Sequence, residues 1–252
     1  QSFKPTIEFE DLTYNFVTDF EKFLYESGYQ TNTVAKHMKH LKSFVNAAIN
    51  KGYIDPNNYA FRRYKIKMKE GKHVFLLPEE MKKLEEVSLT GKNSCLEHTL
   101  DAFLFCCYTG LRYSDFVNLN EKNIVKMDGK LWLIFDSVKT GTEVKLPLNL
   151  LFEGKALTLL QKYQGKWSSF FLIKNNSSVN KELIRIGKLA KISKHFSFHS
   201  ARHTNATLLI YKGANITTVQ KLLGHKNLAT TQIYGEVMGS TIIRDLKKCQ
   251  KR

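Results

Sequence analysis

The 252-residue chain lacks any unbroken apolar run long enough to span a membrane, and no amphipathic helix stands apart from a core-forming pattern. A membrane partner is therefore not expected. Cysteine is scarce: Cys95, Cys106, Cys107 and Cys249 show no paired metal-ligand spacing, and no secretory leader precedes them, so they read as reduced, intracellular and structural. There is no internal repeat and no low-complexity tract. Acid is the most telling shortage: 23 Asp and Glu face 39 Lys and Arg, a net +16. Self-repulsion on that scale contributes nothing to a fold, so a polyanionic partner is expected, and with membrane set aside nucleic acid is the favourite.

What is present reads as two domains, mainly α with a small antiparallel β-sheet, an α+β class. From Tyr14 to Tyr25 the residues Phe16, Phe20, Phe23 and Leu24 share a helical face, and Gly28 stops it. A second helix spans about Thr31 to Asn50, with Val34, Met38, Leu41, Val45 and Ala48 inward and Lys36, Lys39 and Lys42 outward. Residues 36 to 72 hold ten Lys or Arg against two acids, a local +8. A single charged face is usually just solvated surface. Here it continues through Arg62, Arg63, Lys65, Lys67 and Lys69 in a stretch without helical period, which reads as a basic linker able to follow a phosphate backbone. Leu77-Pro78-Glu79-Glu80 opens a new helix with Pro early and acids in its first turn. The expected division is residues 1–73, a helical domain with its linker, and 74–252, a second domain. In the latter, Leu100 to Tyr108 is apolar almost all round and so central. Strands are expected at Leu131 to Phe135 and Glu143 to Leu148, joined as a hairpin across Lys139-Thr140-Gly141-Thr142.

Three segments carry chemistry. In Thr109-Gly110-Leu111-Arg112-Tyr113-Ser114-Asp115, Gly110 ends a helix, Ser114 or Asp115 can cap the next, and Arg112 is a two-pronged anion donor near a helix start; alone, it reads more readily as a surface Arg paired with Asp115 than as a phosphate ligand. In Phe198-His199-Ser200-Ala201-Arg202-His203-Thr204, His199 and Arg202 share a helical face, one a neutral-pH proton carrier and the other a permanent charge. The His199–His203 spacing is also one used by zinc hydrolases, but the accompanying Glu is missing and Arg202 would oppose a cation; two core histidines is the plainer reading, better for His203 than for His199. In Leu222-Leu223-Gly224-His225, a tight turn presents His225. Tyr234 follows on a short helix capped by Thr230 or Thr231, and taken alone it is more often structural than nucleophilic.

In combination, Gly-Leu-Arg112-Tyr-Ser-Asp, hairpin Lys139, His199-x-x-Arg202-His203, Leu-Leu-Gly-His225 and Tyr234 resemble the tyrosine recombinase, or phage integrase, family. The strong motifs lie between residues 109 and 235, and the preceding domain is similar to the family's core-binding domain. The resemblance implies a site-specific DNA recombinase of the mobile-element integrase type. It implies a C-shaped clamp on double-stranded DNA, a homotetramer on two sites, a monomer when DNA is absent, and a cytoplasmic, nucleoid-associated setting. Arg112 and Arg202 would clamp the scissile phosphate and Lys139 would protonate the departing 5′ oxygen, with Lys145 the hairpin's other candidate. His199 would assist proton transfer, His225 would bond a phosphoryl oxygen, and Tyr234 would attack to give a 3′-phosphotyrosine. Asp115 and His203 would orient the site from behind. No metal or cofactor is then required, and the covalent link conserves phosphodiester energy without ATP. Residues 241–252, with Thr241, Ile242, Ile243 and Leu246, read as a tail helix for docking on a neighbouring protomer. Asn205 and Gly235 depart from the pattern expected at their positions, and both are expected to lie clear of the pocket. A start at Gln1 suggests an upstream arm-binding domain. The rival readings are a type IB topoisomerase-like nicking and closing enzyme, a DNA-binding module with a silent pocket, and a metal hydrolase using His199, His203 and His225.

Overall fold

A computed structural model describes residues 3–69, 71 and 73–235. The expected tail over 241–252, Cys249 and Lys72 lie outside the described residues. The chain divides into two compact units, Gln1–Lys72 and His73–Arg252.

The first unit is built on helices α1 (Tyr14–Glu26) and α2 (Thr31–Asn50). The Thr13 side chain accepts from Phe16 N–H and starts α1. Val17 and Leu24 point into the core, opposite Val34, Met38, Val45 and Ala48 of α2. Phe16, Phe20 and Phe23 are only half-buried; their rings gather around Phe3 with centroids 5.2 to 5.4 Å away. Lys36 and Lys39 are exposed, while Lys42 is half-buried. The basic stretch, expected to be a linker without helical period, packs on the core of this unit. Phe61 is buried, Tyr64 and Ile66 pack on the same core, and Arg63, Lys65 and Lys67 alternate with them on the outside. Asn32 then fastens its end, with Nδ2 donating to Lys69 O and Oδ1 accepting from Lys69 N–H, both at 2.9 Å. An alternating apolar and basic strap, held at its far end, gives a fixed row of cations.

The second unit is arranged around α4 (Glu97–Thr109), which follows α3 (Pro78–Glu85). From Thr99 to Thr109 every residue of α4 is buried. A helix apolar all round must be covered on all sides. The cover comes from α6 (Lys155–Lys162), α7 (Trp167–Phe171), α8 (Asn176–Leu189) and, most extensively, α9 (Phe198–Tyr211). The one-turn α5 (Tyr113–Phe116) follows α4, and α10 (Ile216–Leu223) and the short α11 (Ala229–Gln232) close the described chain.

The sheet has three antiparallel strands in the order β1 (Ile124–Met127), β2 (Lys130–Asp136), β3 (Glu143–Pro147). Leu133 faces Leu146 and Phe135 faces Val144 across β2 and β3, all four buried. Strand β1 was not anticipated. It pairs with β2 through the two-residue turn Asp128-Gly129, both at positive φ (48° and 72°), the conformation that Asp-Gly favours in a hairpin.

Candidate active site

Two helix ends and one turn frame the site. Gly110 terminates α4 at φ 75°, and Gly224 terminates α10 at φ 62°. Neither tolerates a side chain. A Cβ on Gly110 would stand 2.6 Å from Leu223 Cδ2 and 2.8 Å from Asn205 Oδ1, and one on Gly224 would stand 2.7 Å from Val144 Cγ2. The two helix ends therefore meet each other and the sheet at closest approach.

Arg202, on α9, is 3% exposed and is held by these ends: Nη1 donates to Gly110 O at 2.8 Å and Nη2 to Leu223 O at 2.6 Å. Terminal carbonyls with no partner inside their helices accept from the cation, and the helix dipoles favour a positive charge there. Burial, then the neighbouring Arg112, lowers the guanidinium to about 10, so it stays charged at neutral pH.

Arg112 occupies the N-cap position of α5 without capping it, and neither Ser114 nor Asp115 caps that turn; both lie inside it. Its anchors are Ser137 Oγ at 3.0 Å and Asp115 Oδ2 at 3.4 Å. Asp115 is buried and also accepts from Val138 N–H at 2.9 Å. One carboxylate thus steadies both Arg112 and the turn from Ser137 to Thr142 that carries Lys139. That turn closes through Ser137 N–H to Thr142 O at 2.9 Å, and Thr140 Oγ1 donates to Gly224 O at 3.3 Å. Lys139 is exposed, and its charge is felt at both His199 and His225. Lys145 is instead paired with Glu143 at 2.8 Å. Arg112 and Arg202 have Asp115 as their near counter-charge, and with Lys139 they form a cationic seat suited to an anion.

His225 is nearly buried, its Nδ1 sharing a hydrogen bond of 2.8 Å with Thr231 Oγ1. Burial first, then Arg202, Arg112 and Lys139, lower it to about 4, so it is neutral at pH 7. Tyr234 was expected on a short helix capped by Thr230 or Thr231; Thr230, like Thr231, lies inside α11, which has no side-chain cap, and Tyr234 lies beyond it. Thr231 orients His225 instead. Tyr234 sits in the turn just beyond α11, its ring packed with Ala206, Ile210, Val219 and Leu223. Its hydroxyl lies 3.0 Å from His203 Nδ1. Burial raises the phenol, while Arg202 and Arg112 pull it down.

Two further placements differ from the sequence reading. The ring bonded to Tyr234 is that of His203, at the turn below His199; His199 is exposed and stands edge-on to His203 with centroids 4.5 Å apart. Partial burial and then Arg202, Arg112, Lys139 and His73 lower the His199 imidazole, which sets it toward the cationic seat. Asn205 is closer to the site than expected. It is buried, donates to Cys107 O at 3.0 Å, and abuts Gly110, whose carbonyl holds Arg202. Its Oδ1 has no hydrogen-bond partner among the described residues. Gly235 lies away from the seat, against Gln232 O and Ile216. Sequence reasoning missed Ser137 and His73, whose ring lies 4.8 Å from that of His203, and had Thr231 only as a helix cap. Ser137, beside the turn already singled out, was the one with a local signal. Among the described residues no group of three or more His, Cys, Asp or Glu could hold a metal ion.

A tyrosine hydroxyl next to two guanidiniums, with neutral imidazoles around it and a lysine on a turn, is a layout for phosphoryl transfer. The family comparisons agree with that class. Residues 74–239 match the phage integrase family and residues 1–67 the phage integrase SAM-like domain. Tyrosine recombinase XerC of Oceanobacillus iheyensis is 29% identical over 238 residues, covering 90% of this chain and 77% of that protein. A tyrosine recombinase of Thermosipho africanus is 29% identical over 227 residues, covering 86% and 75%. Among solved structures, a lambda integrase dimer bound to a COC′ core site superposes with a TM-score of 0.75 at 19% identity, covering 94% of this chain and 84% of that one. XerH recombinase in a post-cleavage complex gives 0.69 at 18%, covering 96% and 72%. The chain belongs to the phage integrase family of tyrosine recombinases. No helix among the described residues is long and apolar enough to cross a membrane.

Proposed function

We propose that this chain cuts and rejoins duplex DNA at a specific site through a 3′-phosphotyrosine on Tyr234, with residues 112, 139, 199, 202 and 225 as its pocket. The observation that carries the reading is the convergence of Tyr234 with Arg112 and Arg202, whose charges both act on its hydroxyl. The two guanidiniums hold the non-bridging oxygens of the scissile phosphate, where negative charge builds in the transition state. His225, neutral and fixed by Thr231, leaves Nε2 for a phosphoryl oxygen. His199 adds a further contact on the Lys139 side. Lys139, on its turn, protonates the departing 5′ oxygen, and Asp115 holds that turn and Arg112 in register.

In the same proposal residues 1–73 form a core-binding domain. Lys36, Lys39, Lys42, Arg62, Arg63, Lys65, Lys67 and Lys69 lie along the phosphate backbone, and residues 74–252 form the catalytic domain. The lambda integrase tetramer bound to a Holliday junction is a structural neighbour with a TM-score of 0.73, and the same fourfold assembly on two duplexes is proposed here. The test lets the protein choose its own target. A pool of nicked duplexes with randomised sequence is incubated with the protein, and adducts that resist denaturant are captured and sequenced. The expected result is enrichment of one site in the presence of a chelator. A pool from which no adduct is recovered would overturn the proposal.

A further inference from the structure

His73, the first residue of the second compact unit, has no part in the roles given above. His73 lies in coil ahead of α3 and is exposed. Its ring centroid is 4.8 Å from that of His203 and 6.4 Å from that of Tyr234. His203 is 8% exposed, has Nδ1 on the Tyr234 hydroxyl, and has two exposed imidazoles, His73 and His199, against its ring. These two neighbours are not equivalent. His199 feels Arg112 and Lys139 as well as Arg202, so it belongs to the anion seat and a bound phosphate would engage it. His203 feels His199, His73, Arg202 and His225, and Tyr234 is bonded to it directly.

We propose that His203, rather than His199, takes the Tyr234 proton during cleavage, and that His73 is a positioning residue that acts through His203 and opens it to solvent. This rests on the reading of Tyr234 as nucleophile. As the Oη–P bond forms and the P–O5′ bond breaks, the hydroxyl proton passes to His203 Nδ1 while the ring keeps its hydrogen on Nε2; Lys139 supplies the proton that the 5′ oxygen takes up. Rejoining reverses each transfer, the tyrosine oxygen recovering its proton from His203. Burial, then His199, His73, Arg202 and His225, hold His203 down to about 3, so it is neutral and able to accept before cleavage. The imidazolium it becomes is disfavoured in the same surroundings. The added proton must leave quickly, and His73 is the exposed ring beside it that lies outside the anion seat.

The test is single-turnover cleavage of the selected nicked duplex by the full chain, followed across pH with and without added imidazole. In His203→Asn an amide group replaces Nδ1 and can still bond Tyr234 but cannot carry a proton. It should bind DNA as before, cleave on the order of 10²-fold more slowly, and lose the acid limb of the pH profile. His73→Ala should lose less and regain rate as imidazole is added, which a purely structural role would not show. Cleavage by His203→Asn at the parent rate, or the whole loss and the imidazole rescue falling on His199→Ala, would overturn the proposal. Should His203→Asn fold poorly by circular dichroism, His73→Ala decides alone, since it changes an exposed residue: a parent rate, or a loss that imidazole leaves unchanged, overturns it. Adduct formation by Tyr234→Phe would instead refute the choice of nucleophile, whatever the histidine variants do.

Discussion

The pocket's residues are tuned by burial and by each other's charge, and this has consequences in two assays. His203 is lowered from 6.5 to about 3 and His225 to about 4, each by burial first. A histidine kept neutral in the fold binds fewer protons than it does unfolded, so its contribution is fully present above about 6.5 and is lost as pH falls toward the folded value. Denaturant midpoints should therefore drop between neutral pH and about pH 4, and His203→Asn should flatten that slope; an equal slope in the variant would remove His203 from the account. The second assay concerns Lys139, which competes with Lys145 for the role of general acid. Lys145 is engaged by Glu143, whereas Lys139 is exposed on its turn. Lys139→Ala should slow cleavage on the order of 10²-fold, and a substrate with sulfur at the bridging 5′ position, a far better leaving atom, should restore most of it. Arg112→Ala should not be rescued, because its charge acts on non-bridging oxygens. Sulfur rescue of Lys145→Ala instead would move the acid to that residue.

At the scale of elements, the site depends on where helices stop. The ends of α4 and α10 touch through Gly110 and Leu223, and the carbonyls exposed there hold Arg202. Gly110→Ala would push a methyl group into Leu223 and Asn205 at a left-handed backbone position. Overpacking costs about 1–3 kcal/mol and the backbone strain about 1–2 kcal/mol more, so the variant should unfold at clearly lower denaturant and lose activity together. An unchanged midpoint would show that the two ends have room to separate. Both glycines were legible in the sequence as helix stops, as were the buried face of α2, the central α4 and the hairpin that carries Lys139. Strand β1 was not, although Asp128-Gly129 is a hairpin signal, because in Ile124-Val125-Lys126-Met127 the first two residues are half-buried and the last two exposed, with no clean alternation. The partners of Arg112, His225 and Tyr234 were legible only as types. Which of two histidines one helical turn apart meets Tyr234 depends on how α11 packs on α9 and α10, and that is tertiary. The packing of the basic strap was not legible because its tie, Asn32 to Lys69, joins residues 37 apart.

Across the whole molecule the 39 basic residues against 23 acidic ones fit the proposed polyanionic partner, with both units engaging it in that proposal. Part of that excess is the fixed row on the strap and part the cationic seat around Arg112 and Arg202. Binding to duplex should weaken steeply with added salt, because each neutralised phosphate releases counterions. Replacing Arg63, Lys65 and Lys67 by Gln should make that dependence shallower without altering the cleaved position; an unchanged salt slope would place the strap off the DNA. The central claim, that Tyr234 is the nucleophile of a strand-transfer reaction, is tested most directly by one comparison on the selected duplex. Parent protein and Tyr234→Phe are incubated with it, denatured, digested and analysed by mass spectrometry for a peptide joined to DNA. The account predicts a single peptide linked through Tyr234 to a 3′ phosphate in the parent, and no adduct with undiminished DNA binding in the Phe variant. An adduct formed by Tyr234→Phe, or a linkage mapped to any other residue, would contradict it.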